Sequence, residues 1–183
     1  MKRARSMVSG IPRMPQSTRV CVALLTGALA IAAAAFAGSA VASETLQGPV
    51  RVIDGDTLQM GAERIRLHGI DAPETRQPCL RDARVWMCGK EAAVLLTNLI
   101  GRSAVRCEIS DRDRWGRAVA ECFLGEESLN RQMVAHGWAF DWPRYSGGAF
   151  AAEQKAAQGI GAGIWAPGVE VEAPWEWRSR NAR

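Results

Sequence analysis

The strongest constraint on the fold is a run of short segments in which apolar and polar residues alternate. Residues 48–60 (GPVRVIDGDTLQM) alternate on both sides of Gly55, which predicts two strands joined by a bend or bulge. Residues 63–70 (ERIRLHGI) alternate again and predict a third strand, with Arg66 on the face opposite its apolar side chains. A loop should follow at Pro73, because the residue before a proline disfavours the helical conformation.

Two further strands and three helices complete the predicted domain. Residues 105–109 and 118–124 predict a hairpin, which with the first three strands gives a five-stranded barrel. Apolar spacing and terminal glycines predict helices over residues 89–100, 129–136 and 149–158. The expected fold class is therefore α+β, mainly β.

The first 42 residues differ in composition from the rest of the chain. Five basic residues precede an apolar run over residues 20–37, and residues 40–42 (AVA) offer a cleavage site. This pattern predicts a signal peptide over residues 1–42; a transmembrane anchor is the alternative, disfavoured because the run is rich in Ala and Gly. We therefore expect a periplasmic or secreted protein without a stable membrane anchor. It should comprise a domain over residues 43–166 and an irregular, tryptophan-pinned tail over residues 167–183.

Charge is nearly balanced in the predicted exported part. The first 42 residues hold 5 of the 23 basic residues and none of the 19 acidic ones, which leaves a formal net charge of about −1. Net charge therefore gives no argument for nucleic-acid binding. All but two of the remaining cations are arginines, whose planar guanidinium groups suit carboxylate and phosphate partners.

Four cysteines follow the predicted signal peptide: Cys79, Cys88, Cys107 and Cys122. An even number in an oxidising compartment predicts two disulfides. Of three possible pairings we favour Cys79–Cys88 with Cys107–Cys122, because the last two are equidistant from the hairpin turn. Zinc binding is the alternative, but neither pair has C-x-x-C spacing and no histidine lies at ligand distance in sequence.

Four carboxylates fall close together in the sequence, at strand ends or in loops: Asp54, Asp56, Asp71 and Glu74. Converging carboxylates and a loop carbonyl would satisfy a hard cation such as Ca²⁺. The EF-hand pattern is excluded, since its Asp spacing and its twelfth-position Glu are missing. An Asp-Gly-Asp alone is more often a solvated turn, so the prediction depends on the combination.

Two arginines could provide the other half of a phosphate-handling site. Fixed guanidinium groups stabilise the negative charge that develops when a phosphodiester is cut, and Arg66 and Arg117 could supply them. The alternative is that each projects into solvent.

Four segments, in order, resemble the staphylococcal-nuclease-like (thermonuclease) family. They are VIDGDT (52–57), RIRLHGIDAPET (64–75), DRWGRAVA (113–120) and GIW (163–165), and the resemblance covers about 120 residues. It implies a five-stranded OB-fold barrel with three helices. It also implies a calcium-dependent enzyme that hydrolyses DNA and RNA phosphodiesters and leaves 3′-phosphates.

The resemblance implies a metal site and a catalytic set. Asp56 and Asp71 would ligate Ca²⁺ together with the carbonyl of Ala72, where the family usually has Thr. Asp54 would orient metal-bound waters. The implied general base is Glu74, and the implied phosphate-binding arginines are Arg66 and Arg117.

The resemblance also implies substrate contacts outside the reacting centre. Arg114 and Trp115 stand where relatives often have a basic residue and Tyr, and Tyr145 matches a nucleotide-contacting tyrosine. Trp115 could stack on a base, or it could simply pack in its turn. The competing function is a non-catalytic OB-fold module that binds oligonucleotides, or an envelope interaction module.

Overall fold

The computed structural model describes residues 44–182, so the predicted signal peptide over residues 1–42 lies outside the described residues. The strands in chain order are β1 (Glu44–Gly48), β2 (Arg51–Asp54), β3 (Thr57–Met60), β4 (Glu63–Leu67), β5 (Ile70–Asp71), β6 (Cys79–Arg81), β7 (Arg84–Trp86), β8 (Val105–Arg112), β9 (Ala118–Leu124), β10 (Glu127–Ser128), β11 (Phe140–Asp141) and β12 (Val169–Glu170). The α-helices are α1 (Cys88–Ile100), α2 (Leu129–Ala135), α3 (Pro143–Ser146), α4 (Ala151–Ile160) and α5 (Pro174–Asn181). None of the helices in this range has the length and apolarity that a membrane span requires.

A mixed seven-stranded sheet carries the candidate site. Its order is β1-β8-β9-β4-β3-β2, and β10 also pairs with β9. The β4–β9 pair is parallel, and in it Ile65 lies opposite Ala118, with both side chains fully buried. Because side chains alternate along a strand, Arg66 and Arg117 lie on the opposite face from this buried pair. The strand pairing thus places both candidate phosphate-binding arginines on one face.

The main hydrophobic core lies between the sheet and two helices. The buried helical residues of this core are Ala92, Leu96 and Ile100 of α1 and Leu129, Met133 and Val134 of α2. Ser128 caps α2, since its hydroxyl accepts a hydrogen bond from the Arg131 N–H at 3.2 Å. Helix α1 ends at Gly101, which has a φ of +58° that favours glycine.

The predicted α+β, mainly-β class agrees with the structure, but the predicted counts are too low. Helices α1, α2 and α4 confirm the three predicted helices, with ends within two residues. The described residues contain five α-helices, and the main sheet has seven strands rather than five. Strand β1 was missed because Leu46 is the only large apolar residue in its sequence, ETLQG. Strand β1 is extended because it pairs with β8, and this pairing cannot be predicted from the composition of β1.

The prediction of an irregular tail over residues 167–183 is wrong. Strand β12 pairs with β6, and α5 follows with Pro174 in its first turn, where the missing N–H leaves no helical partner unsatisfied. Trp175 of α5 packs against a second apolar cluster that contains Phe140 and Ile164. The tail is therefore an ordered part of the described structure, and tryptophan packing helps to hold it.

Both predicted disulfides are present. Cys107 and Cys122 face each other across the β8–β9 pair and are fully buried in the main core. The second bridge, Cys79–Cys88, joins β6 to the first residue of α1 in the second cluster. The Cys107–Cys122 bridge therefore fastens the β8–β9 hairpin, whose turn leads into Arg117. The Cys79–Cys88 bridge closes the segment that follows Glu74.

Loss of the hairpin disulfide should destabilise the fold. In the chain-entropy model, a bridge across a sequence separation of 15 contributes about 3 kcal/mol. The double variant Cys107→Ala/Cys122→Ala should lower the free energy of unfolding by about that amount, as measured by urea denaturation of the oxidised protein. An unfolding free energy equal to that of the wild type would contradict this.

Candidate active site

Three short elements bring the candidate carboxylates together. Asp56 lies in the tight connection between β2 and β3, Asp71 ends β5, and Glu74 lies in the following loop. Asp56 is 3 % exposed and Asp71 is fully buried, whereas about a third of the Glu74 side chain is exposed. Buried carboxylates need compensating partners, and each of these has one.

Arg66 joins the two buried carboxylates. Its Nη1 donates a hydrogen bond to Asp56 Oδ1, and its Nη2 donates to Asp71 Oδ1 at 2.6 Å and to the Ile70 carbonyl at 3.1 Å. Burial lowers the pKa of the Arg66 guanidinium, and the charge of Asp71 opposes that shift. An arginine keeps its charge at neutral pH even so, which makes Arg66 the resident counter-ion of both carboxylates.

A second arginine reaches the site from the C-terminal helix. Arg178 of α5 donates from Nη1 to Asp71 Oδ1 at 2.9 Å and to Glu74 Oε1 at 2.7 Å. Its Nη2 donates to Asp71 Oδ2 at 2.8 Å. Burial lowers the pKa of Arg178, but the hydrogen bonds and charges of Asp71 and Glu74 outweigh it and raise this pKa above its ordinary value. Sequence reasoning missed this residue, because it is more than a hundred residues away from its partners.

Buried polar contacts fix the loop that carries Glu74. The carbonyl of Glu74 accepts from the Gln77 N–H at 2.8 Å, and the Gln77 side chain accepts from the Glu74 N–H at 3.2 Å. The amide of Gln77, which is fully buried, also donates to the Glu172 carbonyl at 2.6 Å. Gln77 therefore ties this loop to the tail, a role that no local sequence pattern indicated.

The backbone at Ala72 is held from the other side. Its N–H donates to Asp56 Oδ2 at 2.7 Å, so the residue predicted to offer a carbonyl to a metal is fixed against the first predicted metal ligand. Gly55 lies beneath it, where an added Cβ would come 2.6 Å from the Ala72 Cβ. Close backbone packing explains the glycine in the Asp-Gly-Asp motif.

Asp54 supports Asp56 from within the same turn. Its Oδ1 accepts from the Asp56 N–H at 3.1 Å. Burial raises the pKa of Asp54, while a hydrogen bond from Thr57 and the positive charges of Arg66 and Arg117 act in the opposite direction. Asp54 thus lies within electrostatic reach of both predicted phosphate-binding arginines.

Arg117 lies at the end of a well-ordered turn beside the site. Its Nε donates to Asp113 Oδ2 at 2.7 Å, and the other oxygen of Asp113 accepts from the N–H groups of Trp115 and Arg117, each at 2.9 Å. Burial raises the pKa of Asp113, but these bonds prevail and hold it below its ordinary value. Among the described residues, no side chain accepts from the Arg117 Nη groups, which leaves them available to a ligand.

The three predicted substrate-contact residues fall in two places. Trp115 is 67 % exposed, and the guanidinium carbons of Arg114 and Arg117 lie 4.1 and 5.3 Å from its ring centroid. Tyr145 is 50 % exposed in α3 and contacts the ring of Trp142 edge-on at 4.4 Å. Trp115 is therefore an exposed aromatic surface beside Arg117, whereas Tyr145 lies next to the ring beneath Arg178.

The donor groups fit a hard cation in their chemistry. Asp56 and Asp71 offer carboxylate oxygens, and Arg66 donates hydrogen bonds to both carboxylates. Ala72 adds a backbone carbonyl, so all the predicted ligand atoms are oxygens. No three His, Cys, Asp or Glu side chains within residues 44–182 converge as a ready-made metal centre. Any ion would therefore keep several waters, and it would compete with arginines for the carboxylates.

The glycine at the start of α1 should be essential for the shape of the Glu74 loop. At Gly89 an added Cβ would lie 2.2 Å from the Glu74 carbonyl oxygen and 2.5 Å from that of Pro73. Gly89→Ala must therefore displace this loop, and we expect a loss of thermal stability and of any activity that needs Glu74. Gly159→Ala is the matched control, because a Cβ there meets no atom within 4 Å inside α4. Equal melting temperatures for the two variants would contradict the expectation.

Comparison with known proteins finds a matching family model and several named relatives. Residues 64–167 match the family model described as staphylococcal nuclease homologue. The chain is 38 % identical over 170 residues to the succinoglycan biosynthesis protein ExoI of Rhizobium meliloti, covering 90 % of this chain and 89 % of that protein. It is 33 % identical over 139 residues to the thermonuclease of Staphylococcus hyicus, covering 70 % and 80 % respectively.

A plant relative is longer than this chain. The probable staphylococcal-like nuclease CAN2 of Oryza sativa is 36 % identical over 123 residues, which are 66 % of this chain but 31 % of that protein. The names of the thermonuclease and of the rice protein support nuclease activity and a nucleic-acid substrate at a general level, whereas the name of ExoI refers to succinoglycan biosynthesis. The chain belongs to the staphylococcal nuclease homologue family.

Proposed function

We propose that this protein is a calcium-dependent nuclease that hydrolyses phosphodiester bonds of DNA and RNA, leaves 3′-phosphates, and acts in the periplasm or outside the cell. The cluster of carboxylates carries the proposal: Arg66 joins Asp56 to Asp71, and Arg178 joins Asp71 to Glu74. Oxygen ligands, a base and a phosphate-binding cation thus lie in one hydrogen-bonded network. The proposed location, in the periplasm or outside the cell, rests on the predicted signal peptide and the two disulfides.

Glu74 is the proposed general base. It is the most exposed of the three clustered carboxylates, so it can meet a water molecule, whereas Asp71 is fully buried. The loop contacts of Gln77 hold its backbone, which keeps its carboxylate at one position relative to Asp71. Glu74 would take a proton from the attacking water, whose oxygen bonds to phosphorus. The bond between phosphorus and the 5′ oxygen would then break, which leaves a 3′-phosphate on one strand and a 5′-hydroxyl, protonated from water, on the other.

Arg66 and Arg117 would bind the phosphate that reacts. Arg66 is aligned by Asp56 and Asp71, and Arg117 is aligned through its Nε by Asp113. Fixed donors stabilise developing charge without reorganising at the moment of reaction. Asp56, Asp71 and Ala72 would hold Ca²⁺, which supplies Lewis-acid polarisation of a phosphoryl oxygen when bound.

Strand binding outside the reacting phosphate is assigned to the exposed turn. The ring of Trp115 can stack on a base without sequence preference, and Arg114 and Arg117 flank it with positive charge. Tyr145 offers a second exposed ring on the side of α3. This arrangement suits single-stranded substrates.

Variants of the catalytic set should lose turnover in different ways. Glu74→Gln should lower kcat by orders of magnitude with little change in stability, because the group acts on the transition state and is partly exposed. Arg66→Ala should lose turnover and also about 3–5 kcal/mol of unfolding free energy, because buried Asp56 would lose its guanidinium partner and Asp71 would keep only Arg178. Single-turnover cleavage of single-stranded DNA and urea denaturation measure the two effects.

An exposed arginine provides the control for these variants. Arg102 lies at the surface after α1, so Arg102→Ala should keep both activity and stability. If Glu74→Gln and Arg66→Ala cleave as fast as Arg102→Ala, the catalytic assignment is wrong, and a module that binds oligonucleotides without cutting them replaces it.

The metal requirement is testable on the wild type. A chelator should abolish cleavage and Ca²⁺ should restore it, whereas Mg²⁺ should restore it poorly, because an open site with few protein ligands suits the larger ion, whose coordination geometry is less strict. Full cleavage in the presence of excess chelator would contradict the calcium proposal.

A further inference from the structure

Arg178 occupies the carboxylate oxygens that a metal ion would need. Both oxygens of Asp71 accept from its guanidinium, at 2.9 and 2.8 Å, and Glu74 Oε1 accepts at 2.7 Å. Arg66 also contacts Asp71, so its carboxylate is surrounded by positive groups. A divalent ion on Asp71 would compete for the same oxygens and would repel Arg178 at short range.

From this geometry we infer that Arg178 is a tethered competitor of calcium that sets the calcium affinity of the active site. The inference rests on the proposed function, because it takes Asp71 as a metal ligand. While Arg178 is docked, it holds one metal ligand and the general base together. When it leaves, Asp71 and Glu74 become available in the same step.

Helix α5 is built to deliver this arginine. Trp175 and Arg178 are three residues apart and so lie on one face of the helix. The ring of Trp175 stacks on that of Trp142 with centroids 5.7 Å apart and an interplanar angle of 11°. The Arg178 guanidinium carbon lies 5.4 Å from the same Trp142 ring. The ring of Trp142 therefore contacts Trp175 and lies near the Arg178 guanidinium, which reaches Asp71 from that position.

The same helix lies outside the main hydrophobic core, which allows it to leave while that core stays folded. Pro174 is the only residue of α5 that is fully buried, and Arg178 itself keeps about a third of its side chain exposed. Detachment of α5 therefore costs its tryptophan contacts and the Arg178 pairing but breaks no contact within the main core. Because α5 is tethered to the domain, Arg178 returns at a high effective concentration.

The size of the effect follows from the fraction of molecules with α5 docked. A ligand that binds only the undocked form has its apparent affinity reduced by the undocked fraction, so about 90 % docking costs about tenfold. Removal of the Arg178 guanidinium should therefore raise the apparent calcium affinity by at least about tenfold. The change appears in calcium binding itself and does not depend on measuring cleavage.

The test is calorimetric titration of the oxidised protein with CaCl₂ at constant ionic strength. Arg178→Met removes the guanidinium while keeping an unbranched apolar side chain at this position, and it should lower the Kd for calcium about tenfold or more. Arg180→Met is the matched control, because Arg180 lies on the same helix but pairs with Glu172 instead of the site. Its Kd should stay within about twofold of wild type. An unchanged or higher Kd in Arg178→Met would overturn the inference.

Hydrogen exchange gives an independent readout that needs no substitution. Saturating calcium should speed amide exchange over residues 174–181 of the wild type, because the ion displaces the helix, while exchange in the buried strands stays slow. Slower or unchanged exchange in α5 would overturn the inference.

The outcomes separate this inference from the proposed function. If neither wild type nor Arg178→Met binds calcium, the metal assignment and this inference both fall. If both bind calcium with equal affinity and cleavage depends on calcium, only this inference falls.

Discussion

The buried negative charge of Asp71 is the constraint on which the rest of the site depends. A carboxylate with no exposed surface would be several kcal/mol too costly without partners, and here two guanidinium groups compensate it. Arg66 comes from the central sheet, and Arg178 comes from the last helix. The same charge therefore joins the central sheet to the last helix of the described structure, and both arginines share one carboxylate.

Rigidity in the site comes from backbone contacts as much as from charges. The connection around Asp56 is held to Ala72 by a hydrogen bond, and the close approach of Gly55 to Ala72 leaves no room for a side chain there. Gln77 and Gly89 hold the Glu74 loop from two other sides. Such a frame fixes the carboxylates before any ligand arrives, which lowers the reorganisation needed during reaction.

Local pattern explains which parts were predictable from the sequence. Alternation predicted β2, β3, β4 and the β8–β9 hairpin, because the alternation of inward and outward side chains along a strand is visible within a few residues of sequence. The same local patterns placed Asp56 and Asp71 at strand ends and Arg66 within a strand, as the structure has them. Helix α5 was missed: its sequence, PWEWRSRN, has no apolar stripe, and its stability depends on Trp142 and Asp71, which are distant in sequence.

The contrast between α5 and the sheet separates the roles of the two site arginines. Arg66 projects from a strand that is paired on both sides, so its backbone is fixed and cannot carry the side chain away from Asp71. Arg178 projects from a helix with one buried residue, and the family match over residues 64–167 ends before it. Since the proposed metal ligand must give up part of its arginine pairing to bind an ion, the partner that yields is the one with the smaller cost of displacement. That partner is Arg178, and the fold thereby places the adjustable part of the site on its outermost element.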